Sequence, residues 1–371
     1  MRWDNLRLVE QGPTTGMTAP LFDQGAVVRR FDTPEFRGIT FYEVRARSII
    51  NRVPESSHVP FRWTINPYRG CSHACFYCFA RNTHTYLDLD YGEDFNSQIV
   101  VKVNAGELLR KEVSARSWRS EHIAMGTNVD PYQRAEGRYR LMRDILEALR
   151  DAANPFSILT KGSLILRDLD LLTQSAEVTE VGTNVSVGFV DRELWRSLEP
   201  GTPSPAKRLQ VCHTLNAAGV PCGVLMAPII PFLSDSPSQL AETVKAIAES
   251  GATHVSPIVL HLRTGAREWF MQWLGEHHPD LVPNYAQLYR RSAYGPKAYQ
   301  EVITRKVQEL AGRYGMGRRG PKEARSIRGT DAARNRGQTA TGKKDANRAE
   351  QLALIAPGAQ CTEDRRPAVW T

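Results

Sequence analysis

The three cysteines with the clearest chemical pattern lie on one short segment of the chain. Cys71, Cys75 and Cys78 follow the spacing C-x3-C-x2-C. Three thiolates on one loop suit a [4Fe–4S] cluster, which usually takes four cysteine ligands. A cluster held by only three leaves one iron without a protein ligand, and an open iron binds a substrate or a cofactor. The spacing therefore predicts a site for chemistry rather than a simple electron relay.

Zinc is the main alternative to an iron–sulfur cluster. Structural zinc is usually closed by four ligands, often arranged as two C-x2-C or H-x3-H pairs, and no second pair occurs here. His73 or His84 would have to supply the fourth ligand, which would make the chain a zinc-stabilised, non-catalytic binding protein. A disulfide framework is disfavoured because three clustered thiols cannot pair off and residues 1–20 are not expected to be a secretory signal.

The cysteine segment resembles the motif of the radical S-adenosylmethionine (SAM) superfamily, which is C-x3-C-x-aromatic-C. Tyr77 stands at the aromatic position. The wider string Thr64–Gly70 and the pair Ala80-Arg81 are similar to the spore photoproduct lyase-like branch, and within it to the uncharacterised Rv2578c-like radical SAM proteins. The resemblance runs from about residue 31 to about residue 270.

The resemblance implies a radical enzyme with two cofactors, a [4Fe–4S] cluster and SAM. In that superfamily the open iron binds the amino and carboxylate groups of SAM. One electron then breaks a sulfur–carbon bond, and the resulting 5′-deoxyadenosyl radical takes a hydrogen atom from the substrate. The implied partner is an external one-electron reductant of the flavodoxin or ferredoxin type. The cofactors supply the difficult chemistry, and the protein supplies orientation and exclusion of water.

Length, hydropathy and charge limit the classes to which this protein can belong. The 371 residues are enough for a barrel of about 200–250 residues, and no apolar run of about 18 residues predicts a membrane span. The six cysteines form no disulfide framework, which favours the cytoplasm. The net charge of +8 is concentrated in residues 312–350, which hold eleven Lys/Arg and four Asp/Glu. The remainder is nearly neutral, so the basic pI does not predict a nucleic-acid-binding barrel.

Residues 312–371 are expected to form a basic, disordered tail. Residues 312–350 contain seven glycines, many charges and few large apolar side chains, and a short apolar patch follows at Gln351–Ile355. Basic side chains attract phosphate without regard to sequence. The alternative function is therefore a radical SAM enzyme that acts on nucleic acid, in photoproduct-lyase-like repair or modification.

The rest of the chain is divided into an N-terminal extension, 1–59, and a barrel domain, 60–311. Short strands are expected at 27–28 and 39–44. In the second part strands and helices alternate, as in parallel βα units. Strands are expected near 62–66, 122–126, 156–160, 184–189, 222–227 and 254–260, with a small extra strand at 99–103 and helices at 105–116, 138–151, 204–219 and 236–250. The resemblance implies an α/β fold with an open, partial six-unit (β/α) barrel, although counting units leaves a doubly wound sheet open.

Polar residues follow several of these strands, where parallel barrels collect their functional groups. Gly126, Thr127 and Asn128 follow the second strand, where the superfamily places its methionine amino-binding segment, and glycine lets backbone approach a ligand closely. Lys161 follows the third strand, at the place of a lysine in the photoproduct-lyase-like branch, and can pair with the SAM carboxylate. Ser186 would by the same resemblance contact the methionine or ribose. An Asx turn at Asn128 and a solvated Lys161 are the structural alternatives.

Four further residues are candidate SAM contacts. Ala227 and Ile229 lie where the superfamily holds adenine through backbone contacts and apolar packing, and Tyr77 would add an aromatic edge to that pocket. Arg208 can pair with a carboxylate through two hydrogen bonds. A helix-surface arginine at 208 and an ordinary core isoleucine at 229 fit the sequence as well.

One departure from the branch bears on the substrate. Photoproduct lyases resemble one another in a hydrogen-donating cysteine just after the second strand, whereas this chain has Gly126–Asn128 there. The position after the third motif cysteine, often tyrosine in that branch, is Phe79. A thymine-dimer-splitting reaction that uses these donors is therefore not expected. Cys212 and Cys222 are interpreted as packing residues.

Overall fold

The structure of the protein, a computed structural model, describes residues 8–13, 26–57 and 59–316. The strands in this part of the chain are β1 (Leu8–Pro13), β2 (Val27–Phe31), β3 (Thr40–Val44), β4 (Ile50–Arg52), β5 (Trp63–Ile65), β6 (Tyr68–Arg69), β7 (Gln98–Lys102), β8 (Ile123–Met125), β9 (Phe156–Thr160), β10 (Val181–Ser186), β11 (Cys222–Ile229) and β12 (Val255–Val259).

The helices in the same part of the chain are α1 (Glu93–Ser97), α2 (Ala105–Val113), α3 (Glu136–Tyr139), α4 (Leu141–Asp151), α5 (Leu169–Val178), α6 (Arg192–Leu198), α7 (Pro205–Ala217), α8 (Pro237–Glu249), α9 (Ala266–His277), α10 (Val282–Leu288) and α11 (Lys297–Arg313). Short 3-10 helices span Pro34–Phe36, Phe79–Leu87, Ser163–Asp168 and Pro279–Leu281.

Six parallel strands form the sheet that carries the candidate site. The strand order is β12-β11-β10-β9-β8-β5-β4, and only the edge strand β4 runs antiparallel to its neighbour. Helices connect successive strands, as expected of βα units. Within the described residues the two edge strands, β12 and β4, are not neighbours. The barrel is therefore open, which confirms the α/β fold with an open six-unit barrel.

One large apolar cluster joins the helices to this sheet. Ile158 of β9 and Val224 of β11 belong to the same buried cluster as Leu149 of α4 and Leu215 of α7. The apolar residues of α4 recur at helical spacing, so one face of that helix is buried while its charged side chains face outward. Val307 of α11 joins the same cluster, and α11 packs against α8 and β12.

A second sheet supports the segment that carries the cysteines. Its order is β1-β2-β3-β7-β6, and β6 runs directly into Gly70 and Cys71. The strands expected at 27–28 and 39–44 are β2 and β3. The small strand expected at 99–103 is β7, which pairs with β3 and β6 rather than joining the parallel sheet. The N-terminal strands are thus connected through β7 to β6, the strand that leads into the cysteine loop.

Two elements differ from the sequence prediction. The fourth parallel strand is Val181–Ser186, three residues earlier than the expected 184–189, because Val181 pairs with Phe156 at the start of β9. Gly182 has a weak strand preference of its own, and pairing with the neighbouring strand β9 imposes the extended conformation. The helix expected over 138–151 is split into α3 and α4 at Arg140, whose φ of 54° interrupts the helix.

The last described helix was not among those expected from the sequence. Helix α11 runs from Lys297 through Arg313, and its residues Val307 and Ala311 are buried against the core. Residues 312 and 313, which were assigned to the basic tail, are therefore helical. Residues 317–371, with the apolar patch Gln351–Ile355 and Cys361, lie outside the described part of the chain. Among the described residues, no helix combines the length and hydropathy that crossing a membrane requires.

Candidate active site

The cysteine loop begins at a glycine that the second sheet holds tightly. Gly70 has a φ of +83°, and a Cβ at this position would lie 2.8 Å from the carbonyl oxygen of Gln98. Cys71 then donates its backbone N–H to the carbonyl of Phe95 at 2.9 Å. The loop leads through Cys78 into the 3-10 helix Phe79–Leu87. Glycine is needed here because both the positive φ and the close approach exclude a side chain.

Two buried polar side chains bind the loop from either side. Gln133 accepts the N–H of Ser72 and donates to the carbonyl of Gly70, both at 2.9 Å. Arg81 is fully buried and donates twice to the carbonyl of Cys75, at 3.0 and 3.2 Å, while it also donates to the carbonyl of Gly92 at 2.8 Å. These bonds fix the backbone of the loop through its N–H and carbonyl groups and do not involve the thiols. Sequence reasoning noted Arg81 only as part of a resemblance.

The three thiols face one cavity of about 230 Å³. Ten of the residues predicted from the sequence line it, namely Cys71, Cys75, Tyr77, Cys78, Gly126, Thr127, Asn128, Lys161, Ser186 and Ala227. They come from the cysteine loop and from the ends of β8, β9, β10 and β11. Parallel strands bring these ends to one edge of the sheet, which is why residues spread over more than 150 positions meet.

Arg208 and Ile229 do not line this cavity. Arg208, in the first turn of α7, is 1% exposed, so it is not a surface arginine. It donates to the carbonyl of Ser186 at 2.7 Å and forms an ion pair with Glu199. Ile229 is fully buried in the main apolar cluster. Both residues therefore stand behind the cavity wall, and the carboxylate that Arg208 binds belongs to its own chain.

Glu199 is a central residue that sequence reasoning did not single out. It is fully buried at the end of α6, accepts a hydrogen bond from the Tyr77 hydroxyl, pairs with Arg208, and lies 3.9 Å from the Lys161 ammonium. Burial raises the pKa of Glu199, but the positive charges of Arg208 and Lys161 more than offset this, so the pKa lies below its usual value. The carboxylate is therefore ionised and holds a cation at the cavity wall. The only sequence signal for it is the string Glu199-Pro200-Gly201, which resembles a recurrent segment of the spore photoproduct lyase-like branch.

Lys161 links the ends of three neighbouring strands. Its ammonium donates to the Ser186 hydroxyl at 2.7 Å, and that hydroxyl donates to the carbonyl of Ala227 at 2.9 Å. The ammonium also lies 5.6 Å from the centre of the Tyr77 ring. Lys161 is thus largely buried and oriented, not a solvated loop lysine, since its side chain is only 14% exposed. An ammonium has three donors, so it keeps capacity for a ligand carboxylate.

Asp130 is the second residue that the sequence did not reveal. Its carboxylate accepts the Thr160 hydroxyl at 2.6 Å and the Lys161 backbone N–H at 2.7 Å, and it lies 3.3 Å from Nδ1 of His73. Burial raises the pKa of Asp130, but His73 and these hydrogen bonds outweigh that effect and lower it. Asp130 thus ties the cysteine loop to the end of β9.

The two histidines considered as zinc ligands have other partners. His73 faces Asp130, and Nε2 of His84 lies 2.9 Å from the carbonyl oxygen of Gln98. Within residues 26–57 and 59–316, no three His, Cys, Asp or Glu side chains are close enough to share one metal ion. Both histidines considered as a fourth zinc ligand therefore already have partners in the protein.

The environment of the three thiols fits a positively charged metal group. Burial raises the pKa of Cys71 and Cys78, and raises the pKa of Cys75 to about 12. Without a metal these groups are neutral thiols. Bound iron stabilises thiolates, and the protons leave as the metal enters. Cys212 and Cys222 instead lie in the main apolar cluster, as expected for packing residues.

Replacing Gly126 by alanine should destabilise the protein more than the same change at Gly219. The two glycines have almost the same φ, +79° and +80°, but a Cβ at Gly126 would overlap the carbonyl oxygen of Leu159, whereas Gly219 has nothing within 4 Å. Gly219→Ala should cost about 1–2 kcal/mol for the left-handed backbone, and Gly126→Ala about 1–3 kcal/mol more for the overlap. Urea denaturation measures both free energies of unfolding. Equal losses would show that β8 and β9 are not this close.

Comparison with known proteins shows the family to which the chain is related. The family model of the radical SAM superfamily matches residues 65–247. The chain is 47% identical to the uncharacterized protein Rv2578c of Mycobacterium tuberculosis over 315 residues, which is 85% of this chain and 93% of the relative. It is 33% identical to the uncharacterized protein MJ0683 of Methanocaldococcus jannaschii over 208 residues, which is 55% of this chain and 73% of that relative.

A solved structure has a similar fold at low sequence identity. It is a spore photoproduct lyase complexed with dinucleoside spore photoproduct, with a TM-score of 0.57, 15% identity, and coverage of 74% of this chain and 79% of that chain. The chain belongs to the radical SAM superfamily. It is an enzyme whose cofactors are a [4Fe–4S] cluster and SAM, and enzymes of this class need an external reductant. At this identity the lyase structure is evidence for the fold alone.

Proposed function

We propose that this protein cleaves SAM reductively at a [4Fe–4S] cluster held by Cys71, Cys75 and Cys78, so that a 5′-deoxyadenosyl radical takes a hydrogen atom from a substrate. One observation carries the proposal. Three thiols, two of them on buried cysteines, an oriented ammonium and the ends of four parallel strands converge on a single cavity. A non-catalytic binding protein would not need open thiols at the bottom of that cavity.

The residues around the cavity have distinct proposed roles toward SAM. The backbone at Gly126, Thr127 and Asn128 meets the methionine amino group, and Lys161 pairs with the carboxylate. Ser186, on the neighbouring strand, contacts the methionine or ribose. These roles need exposed polar groups on the cavity wall, and each of these residues lines it.

The adenine is assigned to the part of the wall formed by Ala227 and Tyr77. Ala227 presents its backbone there, and Tyr77 adds the edge of its aromatic ring. The Tyr77 hydroxyl donates a hydrogen bond to Glu199, which orients the ring. Arg208 supports Ser186 from behind by donating to its carbonyl, and Ile229 is buried in the main apolar cluster and does not line the cavity. Phe61, Leu225 and Leu260 complete an apolar lining, which excludes water from a reactive intermediate.

The direct test uses protein purified and reconstituted with iron and sulfide under anaerobic conditions. Addition of SAM and dithionite should release 5′-deoxyadenosine, and omission of dithionite should prevent it. Metal analysis of the anaerobically purified protein should find iron. One zinc per chain, no iron and no release would contradict the proposal and restore the zinc alternative.

Lys161→Met should weaken SAM binding by about 10–100-fold. A hydrogen bond to a charged group contributes about 1.5–3 kcal/mol, and about 1.4 kcal/mol corresponds to a tenfold change in affinity. Equilibrium dialysis with labelled SAM on the cluster-loaded protein measures the change. Lys207→Met, at an exposed position of α7 outside the cavity, removes the same charge and should leave the affinity unchanged. Equal affinities in the two variants would remove Lys161 from the SAM site.

The reductant and the substrate are the remaining parts of the proposal. We assign the electron to a flavodoxin or ferredoxin in the cytoplasm. Among the described cysteines, only the three of the loop line the cavity, so no further thiol stands there to return hydrogen to a thymine product. A nucleic-acid substrate stays a prediction that rests on the charge of residues 312–350.

A further inference from the structure

A second, open cleft adjoins the cavity at its mouth. The two share Phe79, Asn128 and Arg263 as common walls. The outer cleft is otherwise lined by Asn82, Thr83 and Tyr86 of the 3-10 helix that follows the cysteines, by Thr264 between β12 and α9, and by Ala293 between α10 and α11. A ligand in the outer cleft therefore has continuous access to the cavity that holds the thiols.

Arg263 is oriented at the junction of the two spaces. Its guanidinium donates to the Tyr294 hydroxyl at 2.9 Å and lies 5.8 Å from the centre of the Phe79 ring. A guanidinium has five N–H donors in a planar fork, so this anchoring leaves most of them available. Within residues 26–57 and 59–316, no carboxylate lies in salt-bridge range of Arg263.

The described lining of the outer cleft carries positive but no negative charge. Its described lining residues include one cation, Arg263, and no aspartate or glutamate. In the adjoining cavity, the carboxylate of Asp130 is already engaged by Thr160, His73 and the backbone of Lys161. An anion in the cleft is thus attracted by a fixed positive charge and repelled by no carboxylate of the described lining, whereas a cation is repelled by that positive charge and finds no carboxylate to bind.

The cleft also exposes two aromatic rings. Phe79 is 38% exposed and Tyr86 is 56% exposed, although both carry large apolar surfaces. The neutral groups between them are amides and hydroxyls, from Asn82, Thr83 and Thr264. Exposed rings beside a positive charge provide stacking area for a planar ligand with an acidic group.

We propose that this outer cleft is the substrate subsite and that the substrate is an organic anion with a planar or unsaturated body. Arg263 binds its carboxylate or phosphate through paired hydrogen bonds, and the body lies against Phe79 and Tyr86 with its reactive end toward the cavity. The inference rests on the proposed radical function, because only then is the bound anion a substrate. The anion binding itself is argued from the residues of the cleft alone.

The test is a binding measurement on the cluster-loaded protein with SAM and without a reductant, so that no turnover occurs. Phenyl phosphate and benzoate are the anionic probes, and benzyl alcohol is the neutral probe of similar size. Ligand-observed NMR titration should show at least one anion binding about tenfold or more tightly than benzyl alcohol, as a charge-assisted pair predicts. Preference between phosphate and benzoate identifies the acidic group.

Variants locate the binding. Arg263→Gln should reduce anion affinity about tenfold or more, to the level of the neutral probe, and Arg263→Lys should recover part of it, because a lysine keeps the charge but not the fork. Arg196→Gln, at an exposed position of α6 that lines neither space, should change nothing. If the anions bind no better than benzyl alcohol, or if Arg263→Gln and Arg196→Gln behave alike, the subsite is wrong.

Failure of the subsite is distinct from failure of the proposed function. Release of 5′-deoxyadenosine from SAM and dithionite tests the radical chemistry without any substrate probe. Release together with absent anion selectivity overturns the subsite alone. Anion selectivity that depends on Arg263, together with no release, supports the cleft as an anion site and overturns the radical proposal.

Discussion

Cys75→Ala is expected to abolish the release of 5′-deoxyadenosine, lowering it by more than about a hundredfold. Substitution of groups that merely orient a metal ligand already costs about 10–100-fold, and loss of a ligand itself should cost more. With Cys75 removed, only Cys71 and Cys78 remain on the loop, and no nearby described cysteine can replace it, because Cys212 and Cys222 lie in the main apolar cluster. Iron content per chain and product release by chromatography should fall together.

The matched control for this prediction is Cys212→Ala. Cys212 is as deeply buried as the loop cysteines, but it lies on α7 and does not line the cavity. The control should keep its iron and its 5′-deoxyadenosine release. If Cys75→Ala released as much product as Cys212→Ala, the three-cysteine cluster would not be the source of the electron that cleaves SAM.

Glu199→Ala should lower the free energy of unfolding by about 3–5 kcal/mol, because it leaves a buried charge without its partner. Glu199 and Arg208 are each 1% exposed at the side chain, and they form an ion pair deep behind the cavity wall. The substitution also removes the acceptor of the Tyr77 hydroxyl and the carboxylate nearest the Lys161 ammonium. Chemical denaturation of the wild type and the variant under the same cofactor conditions measures the loss.

Two further variants separate this cost from the general cost of removing a carboxylate. Glu249→Ala breaks an exposed pair with Lys245, whose side chains are 63% and 61% exposed, and should cost less than about 1 kcal/mol. The double variant Glu199→Leu/Arg208→Met removes both buried charges and should recover much of the stability. If Glu199→Ala were as mild as Glu249→Ala, Glu199 would not be the buried counter-charge of Arg208.

Most strands of the main sheet could be predicted from short-range sequence patterns. Five of the six parallel strands lie within a residue or two of their expected positions, because turns and apolar runs mark them locally. The fourth strand was misplaced because its first residues, Val181 to Thr183, become a strand only by pairing with β9. The split at Arg140 was missed because periodicity continues across a single residue with positive φ.

The strand pairing in the second sheet could not be predicted from the sequence for a similar reason. Strand β7 pairs with β3, about sixty positions earlier in the chain, and no local pattern states which partner a short apolar strand will choose. This pairing matters for the site, because β6 sits on β7 and leads into Gly70. The position of the cysteine loop thus depends on the N-terminal strands.

The sequence by itself determined the proposed cluster site, since Cys71, Cys75 and Cys78 lie within eight consecutive residues and their spacing is independent of the rest of the fold. The tertiary structure decided which other residues serve that site. Glu199 accepts a hydrogen bond from Tyr77, which lies 122 positions earlier in the chain. Arg208 is buried behind the cavity wall and does not line the cavity. Such contacts depend on how helices and strand ends pack in three dimensions, and neither residue type nor spacing along the chain specifies that packing.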